Sequence, residues 1–118
     1  MYKLLLPTLL LVTTALSLYS QTIPTSEAYK HKGETVTVCD SVYGTKYFDK
    51  SGITLLNLGA RYPDSPLTVM IPKEARELFS SAPETTYFRK RICVTGEVIE
   101  YKGKPEIVVK EVKQILVK

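Results

Sequence analysis

Residues 91–109 read RICVTGEVIEYKGKPEIVV, and this stretch decides the fold. Ile92, Val94 and Val98 recur at every second place, with Gly96 in the same phase. A period of two puts one row of side chains on a covered face of a strand and the other row outside. The covered row is mostly β-branched, which suits a pleated surface. Tyr101-Lys102-Gly103-Lys104 then makes a tight turn, and Ile107 and Val109 supply apolar positions on the returning strand.

Working upstream, ETVTVCDSVYGTKYF (34–48) alternates in the same way, with Val36, Val38 and Val42 on one side and Thr37, Cys39 and Ser41 on the other. Asp40 falls in the apolar phase, at a place where a small barrel often uses Gly to bend the strand. FDKSG (48–52) has turn chemistry, ITLLNLG (53–59) reads as a second strand, and ARYPDSP (60–66) closes it with two prolines. LTVMIP (67–72) is a third strand, with Leu67, Val69 and Ile71 in phase. Lys73–Phe79 is the helical stretch, with Ala75, Leu78 and Phe79 on one face and Lys73 and Arg76 outward, and SSAPETTYF (80–88) breaks it. Downstream, the final run 104–118 adds Ile115 and Val117, though not in unbroken period two.

The order is therefore strand, strand, strand, short helix, strand, strand. That order predicts an all-β chain: a five-stranded OB-fold Greek-key barrel with one short helix between strands 3 and 4. The barrel would close around Val36, Val38, Val69, Ile92, Val94 and Val98. A β-sandwich is the alternative, though it usually wants about seven strands.

Residues 1–20 lie outside that domain. Lys3 precedes a run from Leu4 to Leu18 that is about 15 residues long, short of the ~20 a membrane span needs. This pattern predicts a secretory signal peptide cleaved after Ser17 or Ser20, hence a periplasmic or secreted protein; the alternative is an uncleaved anchor. Residues 21–33 are polar and read as an N-terminal arm, leaving 34–118 for the domain. The whole chain carries +4; without Lys3 the mature part carries +3, which permits an anionic partner without demanding one.

Cys39 and Cys93 are the two cysteines, and an even count in an exported chain suggests a disulfide. Both fall out of the apolar phase. In the OB order their strands are antiparallel neighbours, so a bridge is within reach of the ~5.5 Å Cα spacing it needs.

HKGETVTVCDSV (31–42), TLLNLGARYPDSPLTVMI (54–71) and RICVTGEVIEYKGKPEIVV with a closing QI resemble a family of small bacterial OB-fold domains. Nucleic-acid binding is ascribed to that family, whose members occur as secreted single domains and beside nucleases. The resemblance spans residues 31–117. Its most specific block, VTGEVIEYKGKPEI (94–107), is similar to the last two strands of anticodon-binding and single-strand-binding OB domains. Asp40 departs from the Gly expected after Val-Cys.

OB folds bind on their second and third strands, helped by the first and last hairpin loops. Mapped here, those places hold Lys46, Tyr47, Phe48 and Lys50; Asn57, Arg61 and Tyr62; Thr68 and Met70; and Tyr101, Lys102 and Lys104. Rings interleaved with cations suit single strands, since bases stack on the rings and phosphates meet the cations. The expected function is a non-enzymatic binding module for single-stranded DNA or RNA; the alternative is an exported domain that binds a protein or an oligosaccharide. No catalytic residues, metal site or cofactor are expected. The one His, His31, lies in the arm, the acids are scattered singly, and two Cys with a distant His are too few for zinc. The basic run Phe88-Arg89-Lys90-Arg91 reads as a charged strand start; a phosphate contact is the alternative.

Overall fold

The structure, a computed structural model, describes residues 20–118. The proposed signal peptide lies outside the described residues, apart from Ser20. Seven strands form one sheet: β1 (Gln21–Thr22), β2 (Thr35–Phe48), β3 (Ile53–Leu58), β4 (Leu67–Ile71), β5 (Arg91–Tyr101), β6 (Lys104–Val108) and β7 (Ile115–Val117). Two single-turn helices, α1 (Lys73–Arg76) and α2 (Pro83–Thr86), stand between β4 and β5. Thr25–His31 and Val112–Gln114 form 3-10 turns.

β2 is long enough to pair twice. Its first half lies antiparallel to β5, with Val38 opposite Val94, and its second half antiparallel to β3, with Lys46 opposite Leu55. β3 continues to β4, β4 to β6 in parallel, and β6 back to β5. The circuit of pairings thus returns to β2, and an interior opens inside it. The register shifts between Val42 and Gly44 at a bulge, and one inserted residue exchanges the two faces of a strand. Before the shift Val36, Val38 and Val42 face inward; after it Tyr47 stands opposite the buried Thr54 while Lys46 and Phe48 face out.

The interior holds one contiguous apolar cluster. Val36, Val38, Val69, Ile92, Val94 and Val98 are all within 1% of complete burial, joined by Leu56, Leu58, Leu67, Ile71 and Ile107. Burying each such side chain contributes ~1.5–3 kcal/mol. Gly96 keeps the inward phase of β5 because a Cβ there would come within 2.7 Å of Ile107 Cγ2. The β5–β6 turn places Lys102 at φ 50° and Gly103 at φ 79°, the left-handed pair that a tight hairpin requires.

The all-β expectation holds, but the count of five strands is corrected to seven. β1 is two residues long, too short to show a period, and it pairs in parallel with Val36 and Thr37. The final run is not one strand: after β6 the chain turns at 112–114, held by Glu111 and Gln114 capping each other, and β7 pairs with the first half of β5, Ile115 opposite Val94. The single helix over 73–79 is likewise corrected to two turns of four residues. Leu78 is 64% exposed, only Ala75 and Phe79 turn toward the core, and α2 occupies the stretch read as a breaker. Arg76 does not point outward either. Its guanidinium lies 3.9 Å from the Tyr47 ring centre and bonds Glu84 at 2.7 Å, tying α1 to α2.

Residues 21–33 fold onto the sheet. Ile23 and Ala28 join the core, and the Thr25 hydroxyl donates to the Asp40 carboxylate, which also accepts the Ser41 N–H at 2.7 Å. Asp40 therefore clamps the N-terminal segment where a glycine was expected. Cys39 and Cys93 stand opposite in register and are bonded.

Candidate functional site

Alternation on β2 through β6 leaves a second, outward row of side chains, and these form the floor of a cleft of about 1340 Å³. Two ladders of register cross it. Gly44, Asn57, Thr68, Glu106 and Ile99 follow one another from β2 to β5, and Lys46, Leu55 and Met70 run alongside. The first ladder is polar at its centre and apolar at its β5 end. Asn57 Oδ1 accepts the Thr68 hydroxyl at 3.0 Å and the Ser65 hydroxyl at 3.4 Å, which fixes the amide and leaves its Nδ2 toward the cleft without a partner among the described residues. Glu106 is 9% exposed, and that burial raises its carboxyl pKa above the ordinary glutamate value.

Loops and hairpin ends build the rim. Tyr62 and Tyr101 are exposed, at 76% and 55%, with Phe48 and Phe88 beyond them. Each ring has a cation over it: Lys104 Nζ lies 5.8 Å from the Tyr62 centre, Lys102 Nζ 5.4 Å from Tyr101 and Lys46 Nζ 5.6 Å from Phe48. Lys104 also donates to the Pro63 carbonyl at 2.6 Å, so the β3–β4 loop and the β5–β6 hairpin meet.

Of the residues singled out in the sequence, Lys46, Phe48, Asn57, Arg61, Tyr62, Thr68, Met70, Tyr101, Lys102 and Lys104 come together on this cleft. Tyr47 and Lys50 do not. The bulge turns Tyr47 to the other face, under Arg76, and Lys50 sits in the exposed turn after β2. Sequence reasoning missed Tyr43, Phe88, Ile99 and Glu106, which also line the cleft. Glu106 carried a signal: it stands in the outward phase of β6, beside the inward Ile107. Phe88 heads the basic run read as a charged strand start; it stands instead in the turn between α2 and β5.

The cleft offers rings, cations and hydrogen-bonding groups. Among the described residues no group of three or more His, Cys, Asp or Glu is placed to hold a metal ion. His31 does not line the cleft; its Nδ1 lies 3.0 Å from Glu34. Glu84 reaches the cleft edge; burial acts to raise its pKa, but the Arg76 hydrogen bond and charge, with a backbone hydrogen bond, keep it below the ordinary value.

No family model matches the chain, and no curated protein matches it. Solved structures do. A crystal structure described as that of an aspartyl-tRNA synthetase from Leishmania major Friedlin matches with a TM-score of 0.54 at 16% identity; the match covers 90% of this chain and 22% of that one. An OBody bound to hen egg-white lysozyme matches with a TM-score of 0.55 at 17% identity, over 84% of this chain and 94% of that one. At these identities the likeness concerns the fold alone. Among the described residues no helix is long and apolar enough to cross a membrane.

Proposed function

We propose that this chain is an exported OB-type β-barrel that binds single-stranded nucleic acid and catalyses no reaction. The closed circuit of five long strands and the likeness to an OBody and to part of a synthetase structure support the barrel. The Cys39–Cys93 bond supports an oxidising compartment.

One observation carries the binding reading: exposed rings and cations from three separate segments converge on one face, above a floor with few charges. Tyr62 comes from the β3–β4 loop, Tyr101 and Lys102 from the β5–β6 hairpin, and Lys46 and Phe48 from the end of β2. Bases stacked on such rings gain ~1–3 kcal/mol each, and the cations meet the phosphates between them. Labelled single strands titrated at low and moderate salt test it. Affinity is expected to fall as salt rises, with a slope of about −0.7 per phosphate contact. No binding at low salt overturns the reading.

Export favours a second reading, in which the same face binds a protein or an oligosaccharide. The OBody structure is a complex with lysozyme, and a ring that stacks on a base also stacks on a sugar. Binding on a glycan array that salt leaves unchanged would favour it over the first.

A further inference from the structure

Glu106 occupies the centre of the cleft floor, with Thr68 on β4 and Ile99 on β5 as its register neighbours. Most of its side chain is covered, at 9% exposure, and among the described residues no cation forms an ion pair with its carboxyl and no hydrogen bond reaches it. Thr68 has a hydroxyl proton, but that proton goes to Asn57 Oδ1. The rim lysines are engaged above, Lys104 with the Pro63 carbonyl. Ile99 beside it is apolar, and Leu55 and Met70 line the same cleft. The buried, unpartnered side-chain polar atom among the described residues is Thr54 Oγ1, so the Glu106 oxygens open to the cleft, where they stand as unpaired acceptors available to a donor supplied from outside.

On the nucleic-acid reading above, that partner is part of a base. The apolar flanks receive a flat ring, and the carboxyl receives a hydrogen-bond donor at the ring's edge. We propose that Glu106 is the specificity-determining residue of the cleft, and that it selects bases carrying an exocyclic amino group. Cytosine brings its N4 amino group as a donor to the carboxyl, a recognised pairing, whereas thymine brings a carbonyl oxygen to the same place. Two acceptors then face each other, so the thymine is disfavoured through its unpaired polar atoms rather than through shape.

The test compares oligo-dC, oligo-dT and an oligomer of 2-pyrimidinone deoxynucleotide, a cytosine that lacks the amino group, by fluorescence anisotropy with the full chain. Oligo-dC is expected to bind about tenfold more tightly than oligo-dT, with 2-pyrimidinone falling to the thymine level. Glu106→Gln, whose amide both donates and accepts, is expected to bring dC and dT within about twofold of each other. Equal binding of dC and dT by the unaltered chain overturns the proposal while leaving the nucleic-acid reading intact, as does a ratio that Glu106→Gln preserves. Failure to bind any of the three overturns both. The wild-type comparison stands by itself if the variant does not fold.

Discussion

Cys39 and Cys93 face each other directly across the β2–β5 ladder, with Cα atoms 4.0 Å apart and their sulfurs bonded. The bond joins positions 54 residues apart, so β3, β4 and both helices lie inside the loop it closes. In the chain-entropy account, a loop of that size contributes about 4 kcal/mol. Reduction, or the double change Cys39→Ala and Cys93→Ala, is expected to lower unfolding stability in urea by ~2–4 kcal/mol. An unchanged urea midpoint under reductant would mean that the ladder holds these strands without the bond.

Arg76 grips Glu84 through two nitrogens, at 2.7 and 3.3 Å, while resting on Tyr47. Burial works to raise the Glu84 pKa, but the Arg76 hydrogen bond and charge, together with a backbone hydrogen bond, bring the carboxyl below its ordinary value of 4.5. An acid with a depressed folded pKa contributes stability above its ordinary value and loses it as pH falls through the folded one. Glu84→Gln is therefore expected to cost about 1 kcal/mol at pH 7, discounted because both partners are partly solvated. Chemical denaturation from neutral pH to below 4.5 should show the variant and the parent converging as the acid range is entered. A gap that stayed constant with pH would assign the cost to packing instead.

Glu106 carries the opposite sign. Its folded pKa is raised by burial, so its contribution is most favourable below the ordinary glutamate value and is lost as pH rises through the folded value. Glu106→Gln is expected to melt above the parent at pH 7 and to draw level with it as the pH falls below the ordinary glutamate value of ~4.3. Binding sites commonly give up stability in this way. Thermal melts across that range decide it; a parent and variant that melt together at pH 7 would show the carboxyl to be well hydrated.

The sequence disclosed those parts of the fold that repeat. Val36, Val38, Ile92 and Val94 announce their strands because alternation runs unbroken on either side of them, and the cysteines pair because both fall in the same phase. Tyr47 was misplaced for a local reason. One bulge residue between Val42 and Gly44 reverses the faces, and Gly44 is its single mark in YGTKYF, so Lys46 and Phe48 reach the cleft while Tyr47 leaves it. β1 and β7 escaped because two or three residues cannot display a period. Asp40 looked like a defect in the pattern because its partner, Thr25, belongs to a segment with no periodicity at all. Glu106 shows only its outward phase on β6, because a lone acid does not belong to the pattern of rings and cations that marks a single-strand face.

The rim separates binding from folding most cleanly. Tyr62 and Tyr101 are exposed, so Tyr62→Ala and Tyr101→Ala should change stability by no more than about 0.5 kcal/mol. Each should nevertheless weaken single-strand binding by ~1–3 kcal/mol through the lost stacking. Lys46 and Lys102 act through charge, and changing both to Gln should flatten the plot of log affinity against log salt by about 1.4, at ~0.7 for each phosphate contact on a single strand. The tyrosine variants should leave that slope unchanged, because stacking releases no counterions. If instead the lysine changes leave the slope alone while the tyrosine changes abolish binding, the face recognises rings and not phosphates, and an uncharged ligand such as an oligosaccharide becomes the better occupant.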